Sequence, residues 1–170
     1  EVVNLGRRLN AALASEVARL ARYRSDFFGR LIEVLGDRSG VRVVGDRFVF
    51  ETDVLFASGS AELSEEGRRS LAPIAGAIIQ LTGEIPDDLD WVLRVDGHTD
   101  RVPLGPNAPF ESNWELSTAR SLSVITYFES QGVPPRRLLA AGFGQHYPIA
   151  EGRTQEAYAR NRRIELKLTS

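Results

Sequence analysis

The chain has 170 residues, enough for one well-buried domain with an appended helix. Hydrophobic residues make up 42% and charged residues 26%, the balance of an ordinary globular protein and not of a disordered one. Its 21 basic residues are scattered among 23 acidic ones for a formal net charge of -2, so no basic excess points to nucleic acid. The absence of cysteine excludes disulfides, thiolate nucleophiles and Cys-based zinc sites, and leaves the compartment open. No apolar run approaches the roughly 18 residues needed to span a membrane. Glu1 opens directly into a polar helical segment with no signal-peptide pattern, and reads as the interior of a longer chain.

Residues 2–35 predict one long helix. Leu13, Val17, Leu20, Phe27, Leu31 and Val34 alternate three- and four-residue steps if Arg24 takes one seam position, a heptad-like stripe on a charged background. Two readings follow: a helix packed on its own domain, or the end of a coiled-coil stalk leading from an upstream membrane anchor. Gly36 and Gly40 are expected to end it, which separates residues 1–38 from a domain over residues 41–170.

Residues 41–54 predict a hairpin, with Val41, Val43, Phe48 and Phe50 among polar residues and Gly45-Asp46 turning the chain. Ser64 is a plausible N-cap, with Glu65 and Glu66 in the first turn and an apolar face of Leu71, Ile74, Ala75, Ile78 and Ile79. A strand is expected from Trp91 to about Asp96, followed by a Pro- and Gly-rich loop over residues 97–110. Ser112 and Glu115 form a capping box for a helix reaching about Gln131, ended by Gly132. A short strand over residues 138–141, a helical turn near Thr154 and a last strand through Ile164, Leu166 and Leu168 complete the chain. The order implies an α+β fold with helices on one mixed sheet.

Two polar clusters carry the candidate chemistry. Gly97-His98-Thr99-Asp100 follows a strand end, where ligands bind in such sheets. Asn113, Ser117 and Arg120 share one face of the helix opened by Ser112. Asp100 facing Arg120 suits a zwitterion, with the carboxylate taking an ammonium and the guanidinium a carboxylate. The same pair equally describes an internal salt bridge tying loop to helix. His98 lies between Asp96 and Asp100, but a metal needs three or four converging ligands and the other histidine, His146, is distant in sequence. No nucleophile elbow or dinucleotide fingerprint occurs, so no enzyme activity and no cofactor are expected.

Five stretches occur in order: Leu55-Phe56-Ala57-Ser58-Gly59-Ser60-Ala61-Glu62-Leu63, Val95-Asp96-Gly97-His98-Thr99-Asp100, Phe110-Glu111-Ser112-Asn113-Trp114-Glu115-Leu116-Ser117-Thr118-Ala119-Arg120, Ala141-Gly142-Phe143-Gly144 and Asn161-Arg162-Arg163-Ile164-Glu165. Together they resemble the OmpA-like peptidoglycan-binding domain, and Trp114 with the Pro103-bearing loop resembles its MotB-type branch. The resemblance implies a βαβαββ core with a mixed sheet behind the long helix, in the periplasm. It implies a non-catalytic domain that binds the peptide stem of peptidoglycan, usually through diaminopimelate, and anchors a membrane-attached partner to the wall, often as a homodimer. Carried over by motif, Asp100 holds the ligand's ammonium and Arg120 its carboxylate. Thr99 and Asn113 line the pocket, and Asn161 and Arg162 belong to the stretch that approaches the ligand. Ala57 and Ser58 stand where many relatives have a ligand-contacting Asp, which leaves room for glycan recognition.

Overall fold

The computed structural model describes residues 1–35 and 40–170. Helix α1 (Val2–Leu35) has the predicted length, while its expected stop at Gly36 lies outside the described residues. Leu20, Phe27, Leu31 and Leu35 are buried against the rest of the domain. At 100° per residue, Val2, Leu5, Leu9, Leu13 and Val17 continue the same side of the helix, yet they are 52–85% exposed. The stripe is therefore divided: its lower half is core, its upper half is bare. Leu35 takes the core place expected of Val34, which is 46% exposed.

Strands β1 (Val41–Val44) and β2 (Arg47–Glu51) form the hairpin, with Gly45 at φ 60° as the first turn residue, a conformation costly to any residue with a Cβ. The hairpin ends at Glu51 and not at Val54. Thr52 N–H leaves the ladder for Arg162 O at 3.0 Å, and Thr52–Leu55 winds into the single turn α2. Helix α3 (Glu65–Glu84) starts as expected, Ser64 Oγ accepting from Gly67 N–H at 3.0 Å. Ile79 is a correction: one step beyond Ile78 carries it off the buried face, and it is exposed.

Strand β3 (Val92–His98) runs further than Asp96, because Gly97 and His98 still pair with Ile164 and Arg163. Helix α4 (Asn113–Ser130), β4 (Leu138–Gly142), α5 (Gln155–Asn161) and β5 (Arg163–Thr169) follow. Glu115 closes the start of α4 on Glu111 N–H, at 2.6 Å, and not on Ser112. The sheet has five strands in the order β1-β2-β5-β3-β4, with β3 and β4 parallel and the other neighbours antiparallel. Period-two alternation sends Phe48, Phe50, Leu93, Val95, Ile164, Leu166 and Leu168 into one core with α1, α3 and α4. The opposite face carries Arg47, Arg94, Asp96, His98, Arg163 and Glu165.

Gly97 and Gly142 are register partners at the ends of β3 and β4. A Cβ on Gly97 would run into the carbonyl oxygen of Ser117, and one on Gly142 into Thr118 Oγ1. The start of α4 lies directly on bare backbone, which sets Arg120 close to the loop after β3. Gly97→Ala or Gly142→Ala should cost about 1–3 kcal/mol through forced separation of helix and sheet, read as a lower urea midpoint at unchanged slope.

Candidate functional site

Three chain segments converge at one end of the sheet. β3 delivers Thr99 and Asp100, the α5–β5 junction delivers Arg162, and α2 swings Asp53 beside it because Thr52 is tied to Arg162 O. Arg162 is clamped between two carboxylates. Its Nε and Nη2 donate to Asp53 at 3.1 and 3.0 Å, and its Nη1 donates to Asp100 Oδ2 at 2.7 Å. Asp100 Oδ1 in turn accepts from Val102 N–H at 3.0 Å, so the carboxylate is oriented on both sides. Hydrogen bonding to Asp53, and then to Asp100, raises the Arg162 pKa despite partial burial.

Arg120 is the opposite case. It is 4% exposed, and its only hydrogen bonds among the described residues go to carbonyl oxygens, Nε to Ser60 at 2.9 Å and Nη2 to Ala57 at 3.4 Å. Its guanidinium carbon lies 5.2 Å from the centre of the Phe56 ring. Burial pushes its pKa down to about 10, with Asp53 and Asp100 attracting it only from a distance and Arg162 opposing them. It is still cationic at neutral pH. Among the described residues no carboxylate forms an ion pair with it, so the internal Asp100–Arg120 salt bridge does not form.

Asp53, Asp100, Arg120 and Arg162 all line one cavity of about 650 Å³. Their formal charges cancel, but not locally: a two-carboxylate, one-guanidinium cluster of net −1 faces a single unpaired cation. Thr99 and Asn113 also line this cavity. Thr99 Oγ1 donates to Asp100 O at 2.8 Å, while Asn113 Nδ2 reaches Val102 O at 3.2 Å and Gln145 Oε1 at 3.0 Å, joining two loops. Ser117 turns inward, donating to Trp114 O and accepting from Gly144 N–H, both at 3.0 Å. Asn161 lies outside this cavity and lines the neighbouring one, which shares Thr99 with it. Its Oδ1 accepts from Ile149 and Ala150 N–H and its Nδ2 donates to Ala150 O, so the side chain shapes the loop before α5. Asp53 and Gln155, both in the cavity wall, were missed. Asp53 sits where a strand was expected, and the polar Glu51-Thr52-Asp53 stretch between two apolar runs was the available signal.

The OmpA family model matches residues 55–162, well over half of the chain. The chain belongs to the OmpA family. Within it, the outer membrane protein A of Bordetella avium is 34% identical over 122 residues, covering 72% of this chain and 57% of the relative. The crystal structure of a MotB-like protein from Desulfovibrio vulgaris superposes with a TM-score of 0.76 at 29% identity, over 91% of this chain and 93% of that one. The cell wall anchor of the T6SS from Pseudomonas aeruginosa superposes at 0.60 with 32% identity, over 88% and 95%. The chain spans about half the length of the first curated relatives it matches, 46% and 57%. The match places it in the MotB-type branch of the OmpA family.

The family match begins at Leu55 and ends at Arg162, so Asp53 and Glu165 stand outside it. Glu165 organises the other face of this OmpA-family sheet. Ligand atoms of Asp96, His98 and Glu165 lie within 4.8 Å of one another and all three residues are buried. A cation there would compete with guanidinium groups already in place: Arg94 Nε donates to both Asp96 oxygens at 2.7 and 3.0 Å, and Arg47 and Arg163 approach Glu165 at 3.4 and 3.7 Å. His98 Nε2 is 2.9 Å from Glu165 Oε2, outside hydrogen-bonding alignment, with its ring stacked on Phe143 at 4.8 Å. The arrangement is an ion-pair network tying β2, β3 and β5.

Burial opposes ionisation of Glu165, but contact with His98 and attraction by Arg163 and Arg47 win, holding its pKa at about 2 against an ordinary 4.5. A depressed carboxylate contributes stability above its unfolded pKa and loses it as pH falls through the folded one. Denaturant midpoints should therefore fall as pH drops from about 4.5 to about 2. In Glu165→Gln they should start lower at neutral pH and change less across that window.

Proposed function

We propose that this chain is a non-catalytic, periplasmic domain that binds peptidoglycan and anchors a membrane-attached protein or complex to the cell wall. The observation that carries the reading is the buried, carboxylate-free Arg120 in the same cavity as the Asp53–Arg162–Asp100 cluster. Burying a cation without a counter-ion is expensive, and a ligand carboxylate would relieve that cost. The carboxylate cluster would take an ammonium. One end of diaminopimelate in the stem peptide presents both groups on one carbon, and the cavity is large enough to enclose it. The likeness to a cell wall anchor, and to an outer membrane protein that shares the domain, supports wall binding. The polar groups of the cavity form a cluster for charge recognition, with no activated nucleophile beside a base among the described residues.

Binding of the chain to purified sacculi tests this. Asp100→Ala and Arg120→Ala should each reduce the bound fraction roughly tenfold or more, as loss of one half of a buried charge contact does. Asp53→Asn should weaken binding less, since Asp100 keeps its place through Val102. Unchanged binding in both alanine variants, with melting temperatures near wild type, would exclude this cavity. Release of soluble fragments would show an enzyme instead.

A second reading adds to the first: the upper half of α1 pairs with the same segment of another copy. The bare stripe of Val2, Leu5, Leu9, Leu13 and Val17 favours it, because isolated helices of this length are marginal without a packed face. Deletion of residues 1–17 leaves the buried part of α1 intact. Sedimentation should then shift from dimer to monomer; a dimer that survives the deletion disproves pairing through this segment.

A further inference from the structure

The face of the sheet turned away from the helices holds a cavity of about 330 Å³, separate from the one that contains Asp100 and Arg120. Strand residues Arg47, Arg94, His98, Arg163 and Glu165 supply its charged side, and the loop after β4 supplies an apolar one. Even with Asp96 counted beside Arg94, guanidinium groups outnumber carboxylates three to two. Register adds a cost. Arg47 and Arg94 both stand opposite Lys167, so three cations form one row across β2, β5 and β3. Like charges placed directly opposite are destabilising. The nearby carboxylates compensate only in part: Arg47 lies 3.6 Å from Asp46 and 3.4 Å from Glu165, both long for a charge-assisted contact. Arg94 spends its Nε on Asp96, and its terminal nitrogens make no hydrogen bond among the described residues. Burial holds the Arg163 pKa below its ordinary value; Glu165 pulls it up, while Arg47 and Arg42 push it down. His98 is 4% exposed, and neither ring nitrogen has a hydrogen-bond partner among the described residues.

The guanidinium groups that compete with a metal cation at Asp96, His98 and Glu165 thus favour an anion in the space before them. A planar carboxylate is satisfied by one guanidinium fork, whereas a phosphoryl group carries oxygens that can be met from several strands at once. The apolar side says what that group is joined to. Tyr147 is 60% exposed and Ile149 44% exposed, yet the Tyr147 ring is seated edge-on against Phe143 at 5.1 Å. Phe143 is itself stacked on His98 at 4.8 Å, with the Arg94 guanidinium carbon 5.6 Å from its centre. A fixed aromatic surface, open to water beside a cationic floor, suits an anion with an apolar body. We propose that this cavity binds an organic phosphate, with the phosphoryl oxygens on Arg47 and Arg94 in front of Arg163 and the carbon skeleton against Tyr147 and Ile149. A soluble phosphate ester and the headgroup of an anionic phospholipid share that chemistry.

Calorimetry on the full chain with phenyl phosphate, inorganic phosphate and benzyl alcohol tests both halves of the ligand. Phenyl phosphate should bind roughly tenfold more tightly than inorganic phosphate, a gain of the size one aromatic contact provides, and benzyl alcohol should not bind. Arg47→Gln should weaken both phosphates roughly tenfold, as loss of a charge-assisted contact does. Tyr147→Ala should bring phenyl phosphate down to the inorganic level and leave inorganic phosphate unchanged. Both side chains are partly exposed, so melting temperatures should stay near wild type. Sacculus binding should be unchanged in both variants, because neither residue lines the cavity of Asp100 and Arg120. Flotation with phosphatidylglycerol vesicles, absent with phosphatidylcholine and abolished by Arg47→Gln, would support the site with a lipid as its source. Phenyl phosphate binding without flotation would support it with a soluble ester. No binding of phenyl phosphate at millimolar concentration, or an affinity that neither substitution changes, would overturn it.

Discussion

The guanidinium of Arg162 is the interaction on which the binding end of this domain depends. It joins Asp53 from α2 to Asp100 from the β3 loop, and its own backbone carbonyl holds Thr52. Those residues come from positions 52–53, 100 and 162, and meet only because β2 and β3 flank β5 on either side. The antiparallel register Glu51↔Arg163 and His98↔Arg163 places both neighbouring strand ends level with the start of β5. A one-residue slip in either pairing would turn Arg163, with its inward polar contacts, to the wrong face. Sheet register and site geometry are the same constraint.

The two faces of the sheet divide the labour. One is covered by helices and closed with apolar side chains. The other holds paired charges, Arg94 with Asp96 and Glu165 among His98, Arg47 and Arg163. Buried ion pairs contribute little net stability against an apolar alternative, but a broken one is costly. The network therefore penalises misregistered strands more than it stabilises the correct ones. Its position next to Gly97 and His98 fixes the root of the loop that carries Thr99 and Asp100.

Much of this was legible in the sequence, for reasons of scale. Caps such as Ser64 and Thr154 bond to an amide three residues away, and the Gly45 turn is a local backbone demand, so short windows reveal them. Arg120 could be placed on a helix face by period alone. Its lack of a partner could not, because that depends on Ala57 and Ser60 carbonyls some sixty residues earlier. Asp53 was hidden by an alternation that continued through Phe48 and Phe50 toward Val54, while the backbone had already left the ladder at Thr52. Asn161 shows the opposite: its motif placed it in the stretch that approaches the ligand, and its amide also holds the loop before α5, in the wall of the cavity next to the first. The periodicity of α1 was plain, but a repeat states which side is apolar and not what covers it.

The clamp around Arg162 also bears on how long any ligand stays. An ammonium arriving at Asp100 meets a carboxylate already engaged by Arg162, so docking trades one ion pair for another and gains only the difference. Each engagement would then be brief on the timescale of a polymer's motion. A lasting hold on a repetitive lattice would come from several such domains engaging together and rebinding faster than all can let go. Under the proposed reading, such an attachment would yield gradually under load rather than all at once.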